Sequence, residues 1–312
     1  MSKTTIGFIL LVVAGAIAPL LGVYPTFLMK CWCFALFACA FNLLLGYTGL
    51  LSFGHAAFLG AAGYIAGHSI KVWGWPPELG ILGGAAFAAV LGWVFGSLAI
   101  RRAGIYYAMI TLALSPMIYF LWLQMRFTGG EDGLQGVPRG MLLGVIDLSD
   151  NMNLYYFVFG IFLFGFFLIY RVIHSPFGQV LKSIRENEPR AISLGYDVDR
   201  YKLVAFVLSA ALSGLAGATK TVVFQLASLT DAHWHMSGEV VLMTLLGGLG
   251  TVFGPVVGAF VVVGLQNQLA DKVGSWVQVI MGIIFVVCVL AFRRGIVGEI
   301  MALFKRPRTG PA

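Results

Sequence analysis

Long apolar runs, each bounded by polar or charged residues, repeat along almost the whole chain. They fall at about 6–23, 27–46, 48–70, 79–100, 104–123, 154–173, 203–223 and 275–292. Each approaches the roughly 20 apolar residues that carry a helix across a bilayer's hydrocarbon core. A further apolar stretch, Glu239 to Ala270, is interrupted by glycines near Gly247-Gly248-Leu249-Gly250. It holds either two short crossings or one crossing with a re-entrant piece. The pattern predicts an all-α fold, a polytopic transmembrane helix bundle of eight to ten crossings.

Charge placement decides the count. Lys and Arg concentrate in loops on the cytoplasmic side. The basic clusters are Arg101-Arg102, then Arg171, Lys182, Arg185, Arg190, Arg200 and Lys202, then Arg293, Arg294, Lys305, Arg306 and Arg308. All of them, with Lys3, fall on one side if Glu239–Ala270 crosses twice, which predicts ten crossings with both termini cytoplasmic. Two crossings in that stretch average about 24 Å at 1.5 Å per residue, short of a roughly 30 Å core, so these helices are expected to be broken or sheltered. The whole chain, 1–312, then reads as a single transmembrane domain with a cytoplasmic loop at 174–202 and an external loop at 124–153. Under this topology crossings two to five and seven to ten run in opposite senses, which is compatible with an inverted repeat, although the sequences of the two halves are too dissimilar to establish one.

Composition agrees with a lipid solvent. Apolar residues make up 59 % of the chain, charged residues only 11 %, and the mean hydropathy is +0.91, against about 25 % charged residues in a soluble domain. The 40 glycines suit a packed bundle, where small residues let helix backbones approach. The net charge of +7 comes from residues at span ends, with no basic stripe or RNA motif, so nucleic acid is excluded as a partner. Cys31, Cys33, Cys39 and Cys288 all lie in apolar runs and read as buried thiols. Ala14-Gly15-Ala16 and Ala16-Ile17-Ala18 resemble signal cleavage sites. Further spans follow at once, so the first run is read as a retained helix.

The loop 174–202 carries the most local information. Ser175-Pro176-Phe177-Gly178 punctuates the end of a span, and Gln179–Asn187 reads as helical. Pro189 suits the first turn of a second short helix, which Gly195 is placed to end. The expected product is a helical hairpin at the membrane surface with a small apolar face. It serves either as a docking element for a soluble partner or as an interfacial loop with none.

Three segments resemble one family. Gly178-Gln179-Val180-Leu181-Lys182-Ser183-Ile184-Arg185-Glu186-Asn187-Glu188-Pro189-Arg190-Ala191, continued by Leu194-Gly195, is similar to the coupling segment of LivM-type permeases of branched-chain amino acid ABC importers. Asn42 through Gly46-Tyr47-Thr48-Gly49-Leu50-Leu51-Ser52-Phe53-Gly54-His55 to Phe58 is the second match, and Leu246-Gly247-Gly248-Leu249-Gly250-Thr251-Val252-Phe253-Gly254-Pro255 the third. On this resemblance the chain is expected to begin close to that family's core, without the N-terminal extension of some relatives. The resemblance implies a bacterial inner (plasma) membrane location and a second, LivH-like permease subunit. It implies two ABC ATPase subunits that carry ATP and Mg, and a periplasmic solute-binding protein. It assigns ATPase coupling to Gly178, Lys182, Arg185, Glu186, Asn187, Glu188, Pro189, Arg190, Ala191 and Gly195, with Arg185 and Arg190 as the ionic grip. The chain itself contains no G-x-x-x-x-G-K-[ST] loop, so it is read as a transport subunit, not an enzyme, with no cofactor or metal of its own.

The translocation path is expected along 46–58 and 239–258, at Asn42, Gly46, Gly49, Ser52, Phe53, Gly54, His55, Glu239, Gly247, Gly248 and Gly250, because broken helices near the midplane build transporter sites. His55 has a plainer alternative, a hydrogen bond to a neighbouring helix. Gly247–Gly250 lacks the preceding strand of a phosphate loop and reads as a helix break. Asp231, His233 and His235 have too few partners for a metal and read as a solvated or interfacial loop anchored by Trp234. Glu239 is expected to pair with Lys220 or to meet a solute's amino group. The remaining acids are placed in loops, and no catalytic constellation is legible. The substrate expected from the resemblance is leucine, isoleucine or valine; urea, short amides and other amino acids are alternatives, and an ion-coupled secondary transporter is the rival mechanism.

Overall fold

The computed structural model describes residues 3–102, 104–291 and 295–304. Within them the chain forms thirteen α-helices: α1 (Lys3–Ile17), α2 (Pro25–Thr48), α3 (His55–Lys71), α4 (Pro77–Ala99), α5 (Ile105–Gln124), α6 (Asn151–Ile173), α7 (Pro176–Glu186), α8 (Glu188–Ser193), α9 (Val198–Phe224), α10 (Trp234–Gly247), α11 (Gly254–Val273), α12 (Val277–Ala291) and α13 (Gly295–Phe304). Five of these, α2, α4, α5, α6 and α9, are long and apolar enough to cross a membrane.

Local chemistry sets the boundaries. Proline opens α2, α4 and α7, where its missing N–H costs nothing. Asp150 and Asp197 cap α6 and α9, accepting from the amides of Met152 at 3.2 Å and Arg200 at 3.3 Å. Gly49, at φ +78°, ends α2 in the left-handed conformation that glycine adopts without penalty.

α2 is the axis of the bundle. From Leu28 to Thr48 nearly every side chain is buried, as expected of a helix apolar on all faces. α9, α6, α10 and α11 pack beside it, and α3 and α4 pack on α9. A seam of small residues brings α4 and α9 together: Gly84 faces Ala218, Ala88 faces Gly214, and Gly92 faces Ala210. The four-residue spacing on both antiparallel helices is the small-x-x-x-small pattern that lets backbones approach in lipid. α4, α5, α6 and α12 keep exposed apolar faces.

One expected crossing is revised, and one expected helix break is found. The run at 48–70 becomes helical only at His55; residues 49–54 form a non-helical segment in which Leu50, Ser52 and Gly54 are buried and Gly54 lies against α5. The Glu239–Ala270 stretch divides into α10 and α11, with a turn at 248–253 between them. α10 starts earlier than its hydropathy implied, at Trp234, because the preceding 229–232 turn folds back so that Ala232 packs on Gly60 of α3.

The all-α expectation needs one small amendment. At the end of the bundle opposite α7 and α8, Leu134–Gln135 (β1) pairs antiparallel with Leu226–Ala227 (β4). Met141–Leu142 (β2) pairs with Ile146–Asp147 (β3). Lys71 donates to the Gln135 carbonyl at 2.7 Å, and Arg139 donates to Asn151 and to the Val223 carbonyl at 3.0 Å each. These bonds stitch the 124–153 loop onto the ends of α3, α6 and α9 as an ordered cap. Cys31, Cys33 and Cys39 are buried and unpaired. The basic residues Arg293, Arg294, Lys305, Arg306 and Arg308, and the side chain of Cys288, lie outside the described residues.

Candidate functional site

α7 and α8 form the expected hairpin. Ser175 caps α7 by accepting from Gly178 N at 3.4 Å. Asn187 leaves the helical conformation, ends α7, and caps α8 by accepting from Arg190 N at 3.1 Å. Gly195 closes the unit at φ +86°. Leu181, Ile184, Ala191 and Val198 bury the inner face, and Gly178 presses against the carbonyls of Val172 and Ile173, where no Cβ fits.

The polar residues of the hairpin divide into two sets. Arg185 donates to the backbone carbonyl of Gly46 in the last turn of α2. Lys182 lies 5.8 Å from the centre of the Tyr47 ring, a cation–π distance. Glu188 accepts from Lys202 of α9 at 2.6 Å, and Lys202 is buried. These three side chains fasten the hairpin to the bundle. Glu186, Pro189, Arg190 and Gly195 face outward, together with Ile192, Leu194 and Tyr196. The structure therefore separates Arg185 from Arg190: both are exposed, but the first is tied to α2 and the second belongs to the open face.

Arg185 reaches a helix break. Its Nη1 also lies beside Gly250, which sits in the α10–α11 turn at φ +73°, a conformation that suits glycine, and faces Arg185 and the Gly46 carbonyl. Asn42 holds that turn from α2. Its Oδ1 accepts from Gly250 N at 3.0 Å, and its Nδ2 donates to the Thr251 carbonyl at 2.9 Å. Thr251 completes the turn, donating to the Gly248 carbonyl at 2.7 Å and accepting from Gly254 N at 3.0 Å. Gly247 packs on the backbone of Gly254 where α10 and α11 cross.

The second break, 49–54, is held from α5 and α10. Phe53 N donates to Thr111 Oγ1 at 3.2 Å, and Gly54 N to Ser52 Oγ at 3.3 Å. Gly54 lies against the Thr111 carbonyl. The first turn of α3 has no cap of its own. Ser237 of α10 supplies one, accepting from Ala56 N at 2.9 Å.

His55 is fully buried, at 0 % exposure. Ser209 Oγ donates its single proton to the Ala40 carbonyl at 2.6 Å, so it accepts from His55 Nε2 at 2.8 Å. The imidazole therefore carries its proton on Nε2, and among the described residues Nδ1 has no hydrogen-bond partner. Phe41, Phe58 and Phe206 surround the ring at centroid distances of 5.0 to 5.8 Å. The geometry is that of a tie joining α2, α3 and α9. Asn42, Ser52 and Gly54 are likewise enclosed within this chain.

Near the opposite end, two expectations are corrected. Asp231 is buried, not solvated, and it is Asp231, not Glu239, that forms the ion pair with Lys220. Lys220 also lies 5.2 Å from the Phe34 ring of α2. Glu239 sits within α10, half-buried, so an acid does occur inside a helix of the bundle. Sequence reasoning passed over Thr111, Ser209, Ser237 and Thr251. For Thr111, Ser209 and Thr251 the signal was a hydroxyl in an apolar run, a common way to satisfy backbone groups at helix contacts in lipid; Ser237, between His235 and Glu239, had no such signal.

A model of the family described as branched-chain amino acid transport system / permease component matches residues 23–289. The chain is 26 % identical over 258 residues to the high-affinity branched-chain amino acid transport system permease protein LivM of Escherichia coli, covering 74 % of this chain and 60 % of that protein. It is 28 % identical over 197 residues to the ribose import permease protein RbsC of Bacillus subtilis, covering 58 % of each. It is 27 % identical over 113 residues to the probable branched-chain amino acid transport permease protein LivH of Methanocaldococcus jannaschii, covering 36 % and 34 %. The chain thus spans 60 % of the length of the LivM relatives that it matches. No solved structure matches. The matched region takes in the hairpin, both helix breaks and the Lys220–Asp231 pair, and the chain belongs to the permease-component family of branched-chain amino acid transport systems.

Proposed function

We propose that this chain is the membrane-spanning permease subunit of an ATP-binding-cassette importer for branched-chain amino acids in a bacterial inner membrane. The observation that carries the reading is the way the α7–α8 hairpin is mounted: one face is fastened through Arg185 to Gly46, beside the Gly250 turn, and the other is left open. An element of that kind receives a push from a soluble partner and delivers it to a helix break. The single domain crosses ten times, through α1 to α6 and α9 to α12, with the hairpin and both termini cytoplasmic and the 124–153 cap outside.

Two ATPase subunits bind the open face and hold ATP and Mg, a LivH-like permease completes the path, and a periplasmic binding protein delivers the solute. ATP-driven closure of the ATPases displaces the hairpins. Arg185 passes the displacement to the α2 terminus and the α10–α11 turn, and Asn42 keeps the two moving together. The bundle then alternates its opening between the two sides. The buried residues Asn42, Ser52, Gly54 and His55 act as the frame of that path, while Glu239 lies toward its surface.

Two experiments test the reading. A cysteine at Asn187 is expected to react with a membrane-impermeant maleimide only from the cytoplasmic face; labelling from outside overturns the orientation. Liposomes holding this chain with its partner permease, ATPases and binding protein are expected to accumulate labelled leucine only with ATP. Uptake by this chain without ATPases makes it a secondary transporter instead.

A further inference from the structure

A groove on the outer surface of the bundle runs between α4 and α6, with Leu215 of α9 behind it. Its volume is about 450 Å³, and its walls include Leu82 of α4 and Tyr156, Gly160 and Phe164 of α6. Both helices start at the capped end of the bundle, at Pro77 and Asn151. From Tyr156 to Phe164 the groove extends about 12 Å at 1.5 Å per residue. One residue on its lining carries a charge: Glu78, in the first turn of α4, stands at the capped end.

Most of the acceptor capacity of Glu78 is unused. Its Oε1 accepts from Leu143 N in the β2–β3 hairpin at 3.1 Å, and its Oε2 has no hydrogen-bond partner among the described residues. A carboxylate offers about four lone-pair sites, and a covered acceptor without a donor is costly. The site therefore calls for a donor. The hairpin beside it is apolar and bare: Leu143 and Val145 are 78 % and 84 % exposed. Trp73 and Trp75 are exposed on the turn that leads into α4, and tryptophan concentrates at the level of lipid headgroups. The carboxylate thus lies where lipid heads lie, and the groove runs from it toward the acyl chains.

The dimensions choose the occupant. A partner's transmembrane helix is about 10–12 Å wide and crosses the whole core of roughly 30 Å. The depth of this groove instead suits one leaflet's half of that core. Its walls suit a chain without polar atoms, and Glu78 suits a cation with N–H donors. We propose that the groove holds one acyl chain of a phospholipid from the leaflet beside the 124–153 cap, with the lipid's primary ammonium on Glu78. A phosphatidylglycerol head has no cation, and a trimethylated phosphatidylcholine head has the charge without the N–H. The bound lipid bridges α4 and α6 beneath the hairpin, whatever solute the chain carries.

The test uses the complete transporter in nanodiscs holding equal parts of phosphatidylethanolamine, phosphatidylcholine and phosphatidylglycerol with identical acyl chains. Native mass spectrometry counts the lipids that stay bound. Gly160→Leu places a side chain in open space, so it should fold normally and fill the groove. The lipid present on the parent and missing from Gly160→Leu is expected to be one phosphatidylethanolamine per copy of this chain. Glu78→Gln keeps an acceptor for Leu143 N but loses the charge. It should lower phosphatidylethanolamine retention about tenfold, the worth of one charge-assisted hydrogen bond. Unchanged retention in Gly160→Leu overturns the groove as a lipid site. Loss of phosphatidylglycerol as readily as phosphatidylethanolamine from that variant overturns the ammonium assignment, and this comparison does not depend on Glu78→Gln folding. A parent that retains no lipid overturns the proposal, and crosslinking of Gly160→Cys to the partner permease then gives the groove to that subunit.

Discussion

The guanidinium of Arg185 donates to the backbone carbonyl of Gly46, joining α7 to the last turn of α2. Carbonyls in a helix's final turn have no partner within the helix, and they form the negative end of its dipole. A cation there satisfies an orphan acceptor and the dipole together. Since Gly250 abuts the same guanidinium, one side chain touches the hairpin's two routes into the bundle.

Removing this strut should loosen coupling more than folding. A hydrogen bond to a charged group contributes about 1.5–3 kcal/mol. Arg185→Ala is therefore expected to lower the ratio of leucine uptake to ATP hydrolysis by roughly tenfold, at about 1.4 kcal/mol per decade. Arg185→Lys keeps the charge without the fork and should fall between. Arg190→Ala, on the open face, should instead weaken ATPase binding. Parallel measurement of uptake and hydrolysis separates the two.

Asn42 uses both ends of its amide on the α10–α11 turn, and it is 2 % exposed. Asn42→Leu keeps the size but strands Gly250 N and the Thr251 carbonyl, each a loss of about 1–3 kcal/mol. The detergent-solubilised protein is expected to unfold several degrees lower. Asn42→Asp retains the acceptor for Gly250 N, but it loses the donor and buries a charge, so it should be no milder than Asn42→Leu. An unchanged transition in both variants would mean that the turn is held by something else.

Much of this architecture was legible in advance, and the residues explain why. Gly49, Gly54 and Gly247–Gly250 marked both breaks, because glycine in an apolar run signals backbone that departs from a helix or approaches another closely. Pro176, Pro189 and Gly195 outlined the hairpin through turn chemistry alone. Leu50, Leu51 and Phe53 hid the extent of the first break, since hydropathy scores an apolar loop and an apolar helix alike. Asp231 read as a solvated loop residue because nothing local reveals that its turn folds back onto Gly60. The direction of Arg185 was equally hidden: a sequence gives a side chain's charge but not which face of a short helix has a partner.

The His55–Ser209 tie predicts a purely structural cost. Ser209→Ala removes the only partner of the Nε2 proton within a ring of phenylalanines. An unsatisfied buried donor costs about 1–3 kcal/mol, so the apparent unfolding temperature should drop. The leucine concentration giving half-maximal uptake should stay within twofold, because nothing passing over the bundle surface reaches a residue with 0 % exposure. A large change in that concentration would place His55 on the solute's route after all.

The open face of α8 predicts the converse. Ile192 and Leu194 are 58 % and 67 % exposed, so Ile192→Asp with Leu194→Asp should alter stability by no more than about 0.5 kcal/mol per site. Exposed apolar residues on a capped, fastened hairpin serve association, and acids there should abolish co-purification of the ATPases. Retained co-purification would move the partner surface elsewhere on the cytoplasmic side.

The Lys220–Asp231 pair distinguishes attraction from burial. Taking one partner away leaves an uncompensated charge in a nearly closed site, which typically costs about 3–5 kcal/mol. Asp231→Asn and Lys220→Met should therefore each destabilise the protein severely. Replacing both, as Lys220→Met with Asp231→Leu, removes the desolvation burden along with the attraction and should recover most of the stability. The double variant is then the informative one. It should fold yet transport poorly, because the pair ties α9 to the 229–232 turn that leads into α10. Measuring thermal unfolding and leucine uptake on the same four proteins decides the matter. If the double variant both folds and transports like the parent, the pair is a relic of packing rather than part of the path.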